Sequence, residues 1–590
     1  MNNLLKIIFG SCLGVILAFG AVILIGSIAI GSLAGKADKP KEVKANTVLH
    51  LKFDEVIPEQ TGNTVVELAE FSSDKKLGLH DMAKTIRGAK SDDRVKGIYL
   101  DITSSVLGSA SASVVREAIE DFKASDKFVI AYSKSYSQGG YYIASAADKV
   151  YVNPMGGVDW RGYGAVLSFF AEMLDAVGVE MEVFKVGKFK GAVEPFVRND
   201  LSEENRLQIR QYVEGLWDVT KQDVAASRNL TPDRLEQIAD EYAAFNAEGA
   251  LQSGLVDAVG YEDEALKEMR TRMGLEDDDK IHLMSPQDYF PSVKGKTDFS
   301  VKDKIAVIYA EGGIVDGEGG EAQIGDKQYV KVIRKLRNDD KVKAIVLRVN
   351  SGGGSAMASE NIWRELMLCK EAGKPVVTSM GDVAASGGYY IACASDSIFA
   401  EPNTITGSIG VFGLFPITKE LMNENLYLNF DSIKTSKFST SYTTVYAMTE
   451  EEKTIMQNST EAIYDTFLTR VMNARNYPSK EAVAEIAQGR VWTGTAAKEN
   501  GLIDRFGGLT EATAAAANLA GLESYRTSEY PKRKDPLMKL LEDLSGENAK
   551  VSDKIMQAEL GEYYTHYQQF KTIREMKGVQ ALMPFNVEIK

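Results

Sequence analysis

The chain has 590 residues, a formal net charge of −15 and a sequence pI of about 5.1. Its hydrophobic share of 44% and charged share of 26% are typical of globular proteins and exclude a disordered chain. The length exceeds what one ordinary core holds, so two or more domains are expected. The acidic balance argues against nucleic acid as a partner, because phosphate contacts need clustered Lys and Arg.

The N-terminal segment is predicted to be a membrane anchor. Residues 7–35 carry no charged side chain over 29 positions. That stretch exceeds the roughly 20 residues that span a bilayer and the roughly 7–15 apolar residues of a cleaved signal peptide. We therefore predict a transmembrane anchor over residues 1–36 and a linker over 37–46. Lysines follow the apolar stretch, and the positive-inside rule taken alone would place the large C-terminal part in the cytoplasm.

An internal duplication organises the rest of the chain. Gly139–Ala144 and Gly387–Ala392 have the same sequence at an offset of 248 positions, and further segments repeat at almost the same offset. In each half, short apolar strands alternate with helical patterns, which indicates an α/β fold of βαβ units around a largely parallel sheet. The predicted boundaries are an N-terminal domain over residues 47–275, a linker over 276–303, a C-terminal domain over 304–530 and a helical tail over 531–590.

The two halves differ at two positions that carry chemistry. Ser386 precedes the second Gly-Gly pair, where the first half has Gln138. Lys190 of the first half is matched by Ser439 in the second half. Taken singly, a serine before Gly-Gly is usually a turn residue, and such a lysine is usually a solvated charge. Because a duplicated fold keeps in both copies what packing needs, the reciprocal difference instead predicts one composite site that draws on both halves.

This pair of residues suits nucleophilic catalysis without histidine. A serine hydroxyl needs an adjacent base, and Ser–Lys pairs are among the known arrangements. The lysine must be neutral to accept a proton, and burial in an apolar cleft lowers its pKa from roughly 10.4. We therefore predict Ser386 as the nucleophile and Lys190 as the general base.

Backbone N–H groups beside the serine are candidates for an oxyanion hole. Gly387 follows Ser386 directly, and the turn Asn350–Ser355 contains Gly353 and Gly354. Glycine permits the close approach of backbone donors to a substrate carbonyl. The turn lacks the Gly-Lys-Ser/Thr of a nucleotide loop, and the sequence contains neither an HExxH motif nor an EF-hand loop. We predict no metal and no cofactor.

At these residues the chain resembles the signal peptide peptidase family, also called protease IV, in its long duplicated form. The resemblance covers roughly residues 47–522. The family usually has proline where this chain has Gly352, so the turn should be looser here. The most specific pieces are Arg348–Ser355, Asp382–Tyr390, Thr406–Val411 and Lys188–Phe196.

The resemblance implies a Clp/crotonase-type fold in each half, with the same roles for Ser386 and Lys190. It also implies oxyanion donors at Gly387 and the glycine turn, chiefly Gly354, and a hydrogen bond by which Ser408 orients the lysine. Members of the family form bowl-shaped assemblies, which are tetrameric in the long form. The resemblance further implies a single-pass protein of the bacterial inner membrane. Its catalytic part would face the periplasm and degrade signal peptides left in the membrane after secretory cleavage.

Three functions compete on this sequence. The leading hypothesis is a membrane-anchored serine endopeptidase that acts on short, apolar, extended peptides. A crotonase-like acyl-thioester enzyme would also use glycine-turn donors, but it would need a CoA site and usually a catalytic Glu or Asp. A non-enzymatic oligomeric scaffold would leave Ser386 and Lys190 far apart. The sequence leaves open whether these two side chains meet within one chain or across subunits.

Overall fold

The computed structural model describes residues 41–62, 76–295, 298–320, 322–532 and 578–583, together with a few positions between 556 and 567. The predicted anchor over residues 1–36 lies outside these ranges, as does most of the predicted tail. Within them, no helix is both long and apolar enough to cross a membrane.

The first half alternates strands and helices, as the sequence pattern predicts. Its strands are β1 (Thr47–Leu51), β2 (Val95–Asp101), β3 (Phe128–Ser133), β4 (Lys149–Val152), β5 (Glu180–Val186), β6 (Ala258–Val259) and β7 (His282–Met284). Its helices are α1 (Leu79–Gly88), α2 (Ser109–Lys123), α3 (Gln138–Ala144), α4 (Ala171–Ala176), α5 (Glu194–Val197), α6 (Glu203–Arg228), α7 (Pro232–Asp240), α8 (Ala247–Gln252), α9 (Glu262–Met273) and α10 (Pro286–Val293).

Six of these strands form a parallel sheet with the order β6-β4-β3-β2-β1-β7. Buried side chains from alternate strand positions enter two separate apolar clusters, one on each face of the sheet. Helices therefore cover both faces, which is why the central strands are almost continuously apolar.

Part of the predicted linker over residues 276–303 belongs to the first half instead. β7 pairs in parallel with β1, and Tyr289 and Phe290 of α10 are buried in the core of that half. The acidic, proline-containing composition favours a solvated connection, but two aromatic side chains suffice to dock the helix. The connection between the halves therefore begins after Val293.

The second half repeats the architecture. Its strands are β8 (Lys304–Glu311), β9 (Gly313–Val315), β10 (Gln323–Gly325), β11 (Val342–Ser351), β12 (Gly353–Ser355), β13 (Val376–Ala385), β14 (Ser397–Ala400), β15 (Ile405–Gly407), β16 (Val411–Ile417), β17 (Val491–Thr493), β18 (Arg505–Phe506) and β19 (Arg526–Tyr530). Its helices are α11 (Asp326–Arg337), α12 (Ala356–Glu371), α13 (Gly387–Ala392), α14 (Glu450–Arg475), α15 (Lys480–Ile486), α16 (Gly494–Glu499) and α17 (Leu509–Leu519). The main sheet has the order β17-β15-β13-β11-β8-β19, and β14 and β18 branch from β13.

The duplication is visible in matched local structure. α6 begins after the N-cap Ser202 and ends at the left-handed Asn229. α14 begins at the capping box of Thr449 and ends at the left-handed Asn476. Equivalent ion pairs then hold the two helix ends, namely Arg228–Asp257 and Arg475–Asp504. The repeated features are those that fold each half, as expected for a duplicated domain.

A third sheet joins the two halves, with the order β10-β9-β12-β20-β16-β5, where β20 is Gln580–Leu582. β5 of the first half pairs antiparallel with β16 of the second half over seven residue pairs. Lys190 follows β5 after a short turn, so this pairing carries the lysine into the second half. The tail was expected to be helical, and its described positions 556, 559, 560, 564 and 567 are helical. Its described end is instead the strand β20, which pairs with β12 and β16.

Candidate active site

Ser386 lies in the sharp connection between β13 and α13. Its backbone has φ 55° and ψ −115°, a sparsely populated conformation for a residue with a side chain. The surroundings hold it there, because its N–H donates to the Gly407 carbonyl at 2.8 Å and its carbonyl accepts from the Tyr390 N–H at 2.8 Å. The side chain does not cap the helix that follows. Its hydroxyl is therefore free to bond elsewhere, although the residue is fully buried.

Lys190 brings its side-chain nitrogen to that hydroxyl. The distance from Lys190 Nζ to Ser386 Oγ is 2.8 Å within a single chain, although the residues lie 196 positions apart. Nζ also donates to Ser408 Oγ at 3.0 Å and to the Ser408 carbonyl at 3.2 Å. The structure therefore brings together Ser386 and Lys190, which the sequence pattern predicts, and Ser408, which the family resemblance implies.

The environment of Lys190 favours its neutral form. The side chain is fully buried, and no ion pair within the described part of the chain includes it. Burial without a compensating carboxylate lowers the pKa of Lys190 well below its usual range. A neutral amine beside a serine hydroxyl can accept its proton, which is what a general base must do.

Residues of both halves fix the position of the lysine. The N–H of Phe189 donates to the Gln488 carbonyl at 3.0 Å, and Gln208 Nε2 donates to the Phe189 carbonyl at 2.7 Å. Gly489 packs so closely that a methyl group added there would lie 2.7 Å from the Cβ of Lys190. No short sequence motif predicts that Gly489 positions Lys190, because the contact forms only when two loops that are distant in sequence pack together.

The predicted oxyanion glycines lie around the serine. Gly387 is the first residue of α13. Gly353 and Gly354, in β12, have φ values of 101° and 152°, which favour glycine. A methyl group on Gly353 would lie 2.6 Å from the Gly387 backbone nitrogen. The glycine turn and the residue after Ser386 therefore lie side by side, although the Gly353 N–H itself donates to Ser351 Oγ at 3.1 Å.

In the first half, the position that matches Ser386 is occupied by a side chain that bonds to the backbone. Gln138 occupies the position of Ser386, and its Oε1 accepts from the backbone N–H groups of Arg161 and Gly162 at 3.1 and 2.9 Å. Trp160, the counterpart of Ser408, is fully buried, and its ring lies 4.8 Å from that of Trp217. These residues are used for packing. Ser439, the counterpart of Lys190, lies on the surface.

A buried polar network next to the site was missed by the sequence analysis. Arg348 donates to both carboxylate oxygens of Glu59, at 2.8 and 3.2 Å, and both side chains are 5% exposed. Asp382 accepts from the N–H and the hydroxyl of Ser111 at 2.9 and 2.5 Å. Burial raises the pKa of Asp382 and raises the pKa of Glu401 to about 8. Glu59 carried no sequence signal, because its partner is 289 positions away.

The residues that the structure describes contain no cluster of His, Cys, Asp and Glu that could hold a metal ion.

Comparisons with known proteins identify the family of this chain. The model of peptidase family S49 matches twice, over residues 121–276 and 369–523. Protease 4 of Haemophilus influenzae is 36% identical over 516 residues, which is 85% of this chain and 83% of the relative. Protease 4 of Salmonella typhi is 37% identical over 83% of this chain and 80% of its own length. The chloroplastic serine protease SPPA of Arabidopsis thaliana is 31% identical over 86% of this chain and 74% of its own length.

A solved ClpP1 mutant from Listeria monocytogenes overlaps 35% of this chain and 93% of its own, with a TM-score of 0.24 and 14% identity. The Clp/crotonase-type assignment of each half therefore stays a prediction. The two matches to the family model fall one in each half and together span more than half of the chain. Two relatives called Protease 4 match most of its length. The chain belongs to peptidase family S49.

Proposed function

We propose that this protein is a membrane-anchored serine endopeptidase in which Ser386 is the nucleophile and Lys190 the general base. The observation that carries the proposal is the 2.8 Å contact between Lys190 Nζ and Ser386 Oγ, made by side chains from opposite halves. A non-enzymatic scaffold would not require this contact. A crotonase-like enzyme would have no use for a buried Ser–Lys pair.

The reaction starts with neutral Lys190, which takes the proton of Ser386 as its Oγ attacks the carbonyl carbon of a peptide. The backbone N–H groups of Gly387 and Gly354 stabilise the oxyanion that develops, since the Gly353 N–H already donates to Ser351 Oγ. Lys190 then protonates the leaving amine, and an ester to Ser386 forms. A water molecule, deprotonated by Lys190, hydrolyses the ester. Ser408 holds the amine of Lys190 in line with Oγ throughout.

The proposed substrates are short, apolar, extended peptides, chiefly remnant signal peptides. Two observations support this class. A putative signal peptide peptidase of Enterococcus faecium is 34% identical over 35% of this chain and 60% of its own length. The apolar stretch of residues 7–35 would keep the site close to a bilayer. On this proposal the protein is a single-pass protein of the bacterial inner membrane, its catalytic part lies in the periplasm, and it assembles as a homotetramer.

The test measures cleavage of an apolar fluorogenic peptide by the full-length protein in detergent. Ser386→Ala and Lys190→Ala should each lower kcat by about 10⁴-fold or more, since each removes a member of one catalytic unit. Ser439→Ala is the matched control, because Ser439 is the exposed counterpart of Lys190 in the other half. It should keep wild-type activity.

Circular dichroism confirms that each variant is folded. Full activity of a folded Lys190→Ala variant would show that another group is the base. Absence of cleavage by the wild type across a panel of apolar peptides would refute the peptidase proposal.

A further inference from the structure

Three buried polar side chains lie behind the loop that carries Lys190. They are Glu194, Asn205 and Gln208, which are 2%, 1% and 1% exposed, and together they are called the polar bridge. Glu194 follows Lys190 by four positions, whereas the other two lie on α6. The proposed mechanism uses none of the three as acid, base or oxyanion donor. Because polar groups are costly to bury unless they are paired, their partners indicate what the bridge does.

The polar bridge is anchored where α6 begins. The carboxylate of Glu194 accepts from the N–H of the N-cap Ser202 at 3.1 Å, from its hydroxyl, and from Asn205 Nδ2 at 3.0 Å. Asn205 also lies directly against the backbone after Lys190, since a methyl group on Gly191 would be 1.9 Å from Asn205 Nδ2. The first turn of α6 and the lysine loop are therefore joined at one carboxylate.

This carboxylate sets the direction of the hydrogen bonds that follow. A carboxylate only accepts, so Asn205 turns Nδ2 towards Glu194 and leaves Oδ1 for Gln208. Gln208 then presents Nε2 to Asn205, and the same nitrogen donates to the Phe189 carbonyl at 2.7 Å. Its Oε1 accepts from the Val491 N–H at 3.2 Å. The amide of Gln208 is thereby held in the orientation that joins two loops.

The two loops joined by Gln208 are those that place the amine of the base. One bond holds the carbonyl of the residue before Lys190. The other holds the N–H of the residue after Arg490, and the carbonyl of Arg490 accepts from the Ser408 N–H at 2.6 Å. Gln208 therefore ties the backbone of Lys190 to the segment that fixes Ser408, to which the lysine amine donates.

The matching helix of the other half carries different residues at these positions. α6 and α14 both have 26 residues, so Asn205 corresponds to Glu452 and Gln208 corresponds to Ile455. Glu452 forms a capping box with its own N-cap, and Ile455 is 41% exposed. The polar bridge is thus present in the half that supplies Lys190 and is not repeated at the matching positions of α14.

We infer that Gln208 is a positioning residue for Lys190, and that Glu194 and Asn205 set the direction of its hydrogen bonds. The inference rests on the proposed peptidase function for its effect on catalysis but not for the hydrogen bonds. Without the bridge the lysine loop is free to shift, so the amine loses its alignment with the Ser386 hydroxyl and kcat falls. Water also reaches the amine, so the pKa of Lys190 moves back towards its ordinary value.

The positioning role is tested with Gln208→Met in the full-length protein, which removes both hydrogen bonds and keeps the length of the side chain. For an apolar fluorogenic peptide, kcat should fall about 10- to 100-fold, whereas KM should change by less than about threefold. The half-rise of the pH–rate profile should move to higher pH. Gln222→Met is the matched control, because Gln222 is exposed on the same helix, and it should keep the wild-type kcat and pH profile.

The direction of the hydrogen bonds is tested by thermal unfolding, without catalysis. Asn205→Asp keeps the shape of the side chain but sets a second carboxylate against Glu194, so Tm should fall by about 3 °C or more. Adding Glu194→Gln removes the repulsion between the carboxylates and should recover about half of this loss. Asn458→Asp is the matched control, because Asn458 is exposed on α14, and it should keep the wild-type Tm.

The outcomes separate this inference from the proposed function. A cleaving wild type whose Gln208→Met variant loses Tm but keeps its kcat and pH profile would show a purely structural role and overturn the positioning, while the peptidase stands. A wild type that cleaves no peptide would refute the peptidase, and the positioning role would fall with it. An unchanged Tm in Asn205→Asp would overturn the direction of the hydrogen bonds, whatever the activity assay shows.

Discussion

At the scale of single residues, the proposed mechanism depends on the amine of Lys190, which must be neutral and correctly positioned. Burial lowers the pKa of Lys190, because the fold offers its amine hydroxyl and carbonyl partners but no carboxylate among the described residues. The position of Lys190 depends on neighbouring glycines, chiefly Gly489, because a side chain at that position would collide with the lysine.

The first prediction concerns pH. Only neutral Lys190 can accept the serine proton, so kcat/KM should rise with pH as the amine loses its proton and then level off. Because burial lowers the pKa of Lys190, the half-rise should fall well below the ordinary value of about 10.4. A pH–rate profile measures this, with Lys188→Met as the control, since Lys188 is exposed and adjacent. A half-rise near the ordinary lysine value in the wild type would contradict the assignment.

The second prediction concerns Gly489. Gly489→Ala should lower kcat by about 100-fold, because a methyl group there would displace Lys190 by a fraction of an ångström or more. The control is Gly521→Ala, which has the same kind of left-handed backbone, with φ 66°, but open space around the added methyl group. Both variants should lose about 1 kcal/mol of stability for the backbone conformation. Equal activities of the two variants would show that Gly489 does not position the lysine.

At the scale of elements, the connections between the halves matter most. The antiparallel pairing of β5 with β16 delivers the loop that bears Lys190. Beside it, the loop after β1 reaches the second half and sets Glu59 against Arg348 at the end of β11. This ion pair is buried and bidentate, so neither charged group is solvated by water.

The third prediction follows from that pair. Glu59→Gln leaves the Arg348 guanidinium buried without a counter-charge and should cost about 3–5 kcal/mol of stability in urea unfolding. Glu55→Gln, four positions earlier, breaks only the exposed ion pair with Lys76 and should cost less than about 1 kcal/mol. A loss of similar size in both variants would show that the Glu59–Arg348 pair is solvated in solution.

At the scale of the whole molecule, the two halves share a polar interface as well as a sheet. Glu401 lies there in a small cavity lined by Glu59, Glu117 and Arg348. Burial, together with the nearby carboxylate of Glu117, raises the pKa of Glu401 to about 8. Folding therefore favours the protonated form of this side chain at neutral pH.

The fourth prediction concerns stability against pH. In the folded chain Glu401 keeps its proton up to pH of about 8, whereas in the unfolded chain it loses it above about 4.3. The wild type should therefore lose stability as pH rises through this window, and the loss should be complete above it. Glu401→Gln removes the ionisation, so its stability relative to wild type should increase from pH 5 to pH 9. If the free energy of unfolding of Glu401→Gln differs from that of the wild type by the same amount from pH 5 to pH 9, the raised pKa of Glu401 is contradicted.

The sequence alone determined the features that are local or repeated. The duplication, the alternation of strands and helices and the glycine turn all follow from short-range patterns, so they could be predicted without coordinates. The reciprocal replacement of Ser386 by Gln138 and of Lys190 by Ser439 pointed to a composite site, because packing alone would have kept the same residue in both halves.

Only the tertiary structure decided what depends on long-range packing. It placed Lys190 against Ser386 in one chain across 196 positions, because β5 of one half pairs with β16 of the other. It paired Glu59 with Arg348, placed β7 and α10 in the first half rather than in a linker, and paired β20 with the strand that contains Gly353 and Gly354. Such contacts form when whole sheets dock, and no local pattern of hydrophobic or charged residues encodes which distant segments will meet.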